Sequence, residues 1–169
     1  MRLLYVDRVT RLKRYESIAA ALDLSPDEPI FAVHFPGDPI LPASILIEAF
    51  AQAASILLET SSGFTLKAIP AYLENAKFRS PVRPPDTVEI SMIVEQRSDD
   101  GALLRGRATQ AGEVKAVCTM GMVTAPLSRF YRPGDLPAYR AMYGRLLAGA
   151  CLEAFDRNPL APLDHVPAG

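Results

Sequence analysis

From residue 43 to residue 59 the chain runs ASILIEAFAQAASILLE, an apolar stretch with no proline or glycine. Its density of Ala, Leu and Ile predicts a helix over about 43–59, ended by Ser61-Ser62-Gly63. Apolar positions surround that helix almost completely, so burial on most sides is expected. At ~1.5 Å per residue it is about 25 Å long, enough to thread a small domain. Elsewhere the period changes. Alternating and β-branched runs near 65–73, 75–82, 87–96, 102–111 and 113–124 predict strands. Ser98-Asp99-Asp100-Gly101 and Ala111-Gly112-Glu113 punctuate the last three, which predicts antiparallel hairpins. Residues 3–9, LLYVDRV, predict a first strand. Residues 12–24 stay open between a helix and a strand paired with the first. One buried helix with a mostly antiparallel sheet predicts an α+β domain, the sheet wrapped around the helix.

Before the helix, 31–42 carries prolines at 36, 39 and 42 together with Gly37, a density that predicts an ordered loop with no regular element. Pro42 suits the first turn of the helix, where a missing N–H costs nothing. The core domain is expected to occupy 1–125, ending near Ala125-Pro126. Past it, Tyr139, Met142, Tyr143, Leu146, Leu147 and Ala150 recur at i, i+3, i+4 spacing, with Arg140 and Arg145 off the stripe. That predicts an amphipathic helix within a 126–158 helical extension, packed on the domain or on a partner. The remaining residues, 159–169, hold prolines at 159, 162 and 167 and are expected to be disordered.

Length changes this picture little, since 169 residues suit a single domain. A net charge of −1 leaves no global field to attract nucleic acid, and none is expected as a partner. Cys118 and Cys151 are too few and too unpatterned for a disulfide framework or a zinc site, and both read as buried thiols. The N-terminus places Asp7 and Arg8 where the apolar core of a secretory signal would continue. The apolar stretch at 45–58 is interrupted by Glu48 and Gln52 and is shorter than the ~20 residues that span a bilayer. A soluble, cytoplasmic protein with no membrane partner is expected.

Chemistry enters through three side chains. Glu48 and Gln52 stand four apart in the apolar helix and share one face. A carboxylate buried there is costly unless it is paired or protonated. By themselves the two read more readily as polar groups that satisfy loop backbone. His34 is the one histidine outside the proline-rich tail, and it lies between Val33 and Phe35 in the loop that feeds the helix. Apolar flanks disfavour an imidazolium and leave a neutral base. In a proline-fixed loop leading to a helix with a buried acid, His34 is a candidate base and Glu48 a candidate acid.

The run His34-Phe35-Pro36-Gly37-Asp38-Pro39-Ile40-Leu41-Pro42, followed by Ile45-Leu46-Ile47-Glu48-Ala49-Phe50-Ala51-Gln52, resembles the signature of the bacterial 3-hydroxyacyl-acyl-carrier-protein dehydratases. The fourteen-residue step from histidine to acid is kept. Leu4-Tyr5-Val6-Asp7-Arg8-Val9, Glu28-Pro29-Ile30-Phe31 and Ala76-Lys77-Phe78-Arg79-Ser80-Pro81-Val82 are similar to other segments of that family. The likeness therefore runs over about residues 3–124. It implies the hotdog fold and dehydration of a 3-hydroxyacyl thioester, on acyl carrier protein or coenzyme A, to the trans-2-enoyl thioester. It also implies a homodimer or larger homo-oligomer whose sites pair His34 of one protomer with Glu48 of the other, or a heterodimer with a paralogue. No cofactor and no metal are implied.

Acid–base logic fits these roles. His34 takes the proton next to the thioester carbonyl, and Glu48, kept protonated by apolar surroundings, supplies one to the departing hydroxyl. Backbone N–H groups near Ala43, at the start of the helix, are suited to hold charge on the thioester oxygen. The resemblance adds Phe35, Gly37 and Gln52 to Ala43 as substrate-binding positions. Lys77, Arg79 and Arg83 form a basic cluster that suits an acidic carrier protein or, equally, a solvated strand edge.

Three positions depart from the family. Ala43 replaces a glycine, and an alanine forced to positive φ would distort the oxyanion site. Val33 and Pro85 replace two more. With the 126–158 extension, these departures suggest a specialised relative serving fatty acid, polyketide or other secondary synthesis. An acyl-thioester hydrolase using the helix carboxylate is the alternative enzyme. A non-catalytic acyl-binding or heterodimer half-site protein is the alternative without one.

Overall fold

The computed structural model describes residues 2–156 and 158–160. In chain order the elements are β1 (Arg8–Lys13), β2 (Ser17–Leu24), α1 (Pro29–Val33), α2 (Ala43–Ser61), β3 (Leu66–Phe78), β4 (Asp86–Arg97), β5 (Gly101–Gln110) and β6 (Glu113–Pro126). Two single 3-10 turns, α3 (Leu136–Leu146) and β7 (Cys151–Glu153) follow. Seven strands form one sheet in the order β3-β6-β5-β4-β2-β1-β7, antiparallel except that β7 runs parallel to β1.

Strand alternation puts Leu104, Gly106 and Ala108 of β5 on one face, beside Ile90 and Met92 of β4 and Cys118 and Met120 of β6. That face wraps α2, whose Ala49, Phe50, Ala53, Ala54 and Leu57 are shut off from solvent. At Gly106 the wrapping demands a glycine. A Cβ there would stand 2.9 Å from the Phe50 ring and 2.8 Å from both Met92 Sδ and Cys118 Sγ. Length and composition alone would let α2 cross a membrane, but most of it is buried inside the protein. Desolvation pushes the Cys118 thiol up to about 11, which makes it an inert core group.

The α+β architecture with a central helix is as expected, and the details correct several expectations. α2 runs on to Ser61 and is closed by Gly63 at φ +66, with Gly63 N–H to Thr60 O at 3.0 Å and Phe64 N–H to Glu59 O at 2.9 Å. Pro42 stands at its N-cap, one position earlier than the first turn. The loop at 31–42 does contain regular structure, because Pro29 at the start of α1 lets one helical turn form before Pro36. The open stretch at 12–24 is a hairpin with β1, in which pairing to β4 overrides the helix propensity of Ala19–Leu22. The runs at 65–73 and 75–82 are one edge strand, β3, with a bulge where Asn75 has φ 50. The first strand begins at Arg8 rather than residue 3. α3 stops at Leu146, short of Ala150, and packs on its own domain through Tyr139, Tyr143 and Leu146. Cys151 is exposed rather than buried, because β7 lies at the sheet edge. In the tail, Pro159 is buried and its carbonyl accepts from Arg140, and the rest of the expected disorder, from 161 on, lies outside the described residues.

Candidate active site

His34 terminates α1. Its N–H donates to Ile30 O at 3.0 Å, and its carbonyl accepts from Ile40 N–H at 3.1 Å. The side chain closes the same loop, with Nδ1 3.0 Å from Ile40 O. A carbonyl only accepts, so Nδ1 carries a proton and Nε2 is the nitrogen left to act as a base. The Phe35 ring stacks on the imidazole at 4.4 Å. Two tethers hold the loop from outside. Leu41 N–H donates to Val82 O at 2.8 Å, and the Arg83 guanidinium clasps both oxygens of Asp38, one of them at 3.0 Å. Arg83 holds the Asp38 carboxyl below the usual carboxylate range, and Asp38 raises Arg83 in return.

On α2, Glu48 Oε1 accepts from Gln52 Nε2 at 2.8 Å. The same amide reaches the N-terminal segment, donating to Leu3 O at 2.8 Å and accepting from Tyr5 N–H at 2.7 Å. Gln52 thus orients Glu48 and at the same time takes up backbone groups that a strand at 3–7 would have paired. Burial of Glu48 does not hold within the single chain. It is exposed and Gln52 half-buried, because the sheet leaves uncovered the face of α2 that carries 43, 44 and 48. Nor does one chain bring His34 and Glu48 together. No hydrogen bond or ion pair joins them, and the cavity that Glu48 lines does not include His34.

The remaining candidates are placed as follows. Ala43 is the first helical residue of α2, exposed and without positive φ, so its methyl group brings no backbone strain. Phe35 and Gly37 are exposed in the His34 loop, and a Cβ added at Gly37 would meet nothing within 4 Å. Lys77 and Arg79 are exposed at and just past the end of β3, whereas Arg83 is engaged by Asp38. Among the described residues, no group of three or more His, Cys, Asp or Glu side chains is placed to hold a metal ion.

A cavity of about 300 Å³ opens beside Glu48, between α2, the start of β3 and α3. Against it lies a buried cluster that sequence reasoning missed. Glu59 is wholly buried, and its Oε1 accepts from Lys67 Nζ at 2.8 Å and Ala68 N–H at 3.1 Å. Its Oε2 accepts from the hydroxyls of Tyr139 and Tyr143. Burial first, and then the Glu59 charge, push both phenols up, so they remain donors. The available signal was an acid near the end of an apolar helix and a tyrosine pair four residues apart.

A FabA-like domain matches residues 1–120. The chain belongs to the FabA-like family. Its relatives include the 3-hydroxyacyl-acyl-carrier-protein dehydratase FabZ of Lactiplantibacillus plantarum, 41% identical over 121 residues, which cover 69% of this chain and 79% of that one. The FabZ of Rickettsia massiliae is 36% identical over 115 residues, 67% and 79% of the two chains. Among solved structures, smu.793 of Streptococcus mutans bound to acetyl CoA matches with TM-score 0.60 at 10% identity, over 75% of this chain and 94% of that one. The dehydratase heterocomplex ApeI:P of Xenorhabdus doucetiae matches with TM-score 0.53 at 22% identity, over 64% and 88%. At such identities these structures speak for the fold, which is the hotdog. The FabA-like match includes His34 and Glu48 and stops before α3. Tyr131, Tyr139, Met142, Tyr143 and Leu146 of the cavity wall therefore lie outside it.

Proposed function

We propose that this chain dehydrates a 3-hydroxyacyl thioester, carried by acyl carrier protein or coenzyme A, with His34 as base and Glu48 as acid. The observation that carries the assignment is the pair of tethers: Ile40 O fixes the His34 tautomer, and Gln52 fixes Glu48. His34 Nε2 takes the proton from the carbon next to the thioester carbonyl, and Glu48, as the acid, gives a proton to the hydroxyl on the following carbon. The C–H and C–O bonds break, the C=C bond forms and water leaves. Helix N-terminal N–H groups at Ala43 stabilise the thioester oxygen as it gains charge. Each acid–base group is worth roughly 10²–10⁴-fold in rate.

The site is shared between two copies in this reading. β3 is an edge strand whose positions 70–78 are exposed, with Tyr72, Leu73 and Phe78 among them, and an edge so long and apolar is suited to pairing. Antiparallel pairing of β3 with a second copy brings His34 of one chain to Glu48 of the other. Lys77 and Arg79 then serve an acidic carrier protein, while Arg83 acts as the anchor of the His34 loop. A cytoplasmic location belongs to the same reading. The test is hydration of a 2-enoyl thioester, on coenzyme A and on carrier protein, by wild type, His34→Ala and Glu48→Gln. Turnover by wild type that falls at least ~100-fold in both variants is the expected result. A wild type that releases free thiol and leaves the carbon–carbon double bond unhydrated makes the protein a thioester hydrolase instead.

A further inference from the structure

α3 and the turn before it lie outside the family match, yet they supply one wall of the cavity beside Glu48. The facing wall is a single stripe of α2, at positions 48, 51, 52, 55 and 56, which runs ~12 Å along the helix away from Glu48. At about 300 Å³ the cavity is twice the ~150 Å³ of an apolar protein cavity that takes up benzene. Its lining is mostly apolar and aromatic, and among the described residues its one cation is Lys67. Lys67 Nζ has three N–H donors. One meets Glu59 Oε1 at 2.8 Å and another meets Tyr139 Oη at 3.0 Å. The third meets no partner among the described residues, and it shares the wall with the polar side chains of Glu48, Gln52 and Ser55.

We infer that this cavity takes the distal end of the acyl chain and selects one that carries a neutral oxygen acceptor, such as a ketone, against Lys67. The assignment rests on the dehydratase reading and names its substrate class. A saturated tail strips water from the Lys67 N–H and returns no acceptor, whereas an oxygen returns one. A carboxylate tail brings a second negative charge to a site where Glu59 already balances Lys67. Tyr131, Tyr139 and Met142, from beyond the family match, are then specificity-determining residues rather than decoration on the core.

Binding and turnover are measured separately on the full-length protein. Calorimetry compares the pantetheine thioester of octanoate with that of the same chain bearing a ketone on its next-to-last carbon. Neither has a hydroxyl to eliminate. The ketone chain is expected to bind roughly 5- to 50-fold tighter. Lys67→Met erases that difference by weakening the ketone chain, and Met142→Trp, which fills the cavity from half-buried ground, weakens both chains. Should Lys67→Met fail to fold, the wild-type preference and Met142→Trp decide. Equal binding of the two chains by wild type, or no effect of Met142→Trp, overturns the assignment. Turnover of the matching 3-hydroxyacyl thioesters separates the two failures. Ketone-selective binding without elimination of water keeps the cavity and sinks the dehydratase reading. Dehydration of both chains at equal kcat/KM, with equal binding, keeps the reaction and sinks the cavity.

Discussion

Asp38 and Arg83 touch no reacting atom in the proposed mechanism, but together they hold the loop that aims His34. Asp38 has its pKa lowered in the fold by Arg83, so its contribution is complete above the ordinary carboxylate value of about 4 and is lost only as pH falls through the lowered value. Arg83 is raised and stays charged throughout. From pH 5 to 9 the tether is therefore constant. Asp38→Asn should lower kcat/KM by roughly two- to five-fold, evenly across that range, leaving both limbs of the pH–rate profile in place. A shifted limb would mean that Asp38 titrates with the reaction. Gln52 is a second positioning residue, whose amide meets Glu48, Leu3 and Tyr5. Gln52→Leu should destabilise the fold by about 1–3 kcal/mol in urea titration and lower kcat more than it raises KM. Of these roles, the sequence displayed only the spacing. His34 and Glu48 stand out because a motif surrounds them. Arg83 looked like a docking residue because its partner, Asp38, is 45 positions away.

Among the elements, α2 and the β4–β5–β6 hairpins were legible because their patterns are long and unbroken, and local preference agrees with tertiary demand. β7 was not, since three residues, Cys-Leu-Glu, show no period, and its place is set by parallel pairing to β1. The N-terminal strand failed for a different reason. Its backbone partners at residues 3 and 5 belong to a side chain, Gln52, rather than to a strand. The lock between α2, β3 and α3 was also hidden, because Glu59 meets tyrosines 80 and 84 positions downstream. A buried carboxylate with these partners is costly to remove on one side only. Glu59→Ala leaves Lys67 without its counter-charge and takes the shared carboxylate acceptor from both phenols, and should cost about 3–5 kcal/mol. Tyr143→Phe removes the bond to Glu59 and the 3.2 Å contact with the Tyr139 hydroxyl, and should cost about 1–2 kcal/mol. Denaturant midpoints at constant m-value measure both. A Glu59→Ala cost within error of zero would mean that α3 is held by its apolar face alone.

For the molecule as a whole, the separation of His34 and Glu48 within one chain makes the proposed dimer a testable part of the chemistry. Consider His34→Ala and Glu48→Gln, each inactive alone, co-refolded in equal amounts. Random pairing makes half the dimers mixed, and each mixed dimer has one site with both defects and one with none. Activity should therefore return to roughly a quarter of the wild-type value. If His34 and Glu48 of the same chain worked together, every site in every mixed dimer would carry a defect and nothing would return. The β3 edge gives a control on the route of assembly. Leu73→Asp, added to both chains, places two like charges where the exposed edges of β3 would pair. It should shift the protein towards monomer in sedimentation and abolish the rescue. Rescue that survives Leu73→Asp would move the shared interface away from β3 while leaving the shared site intact.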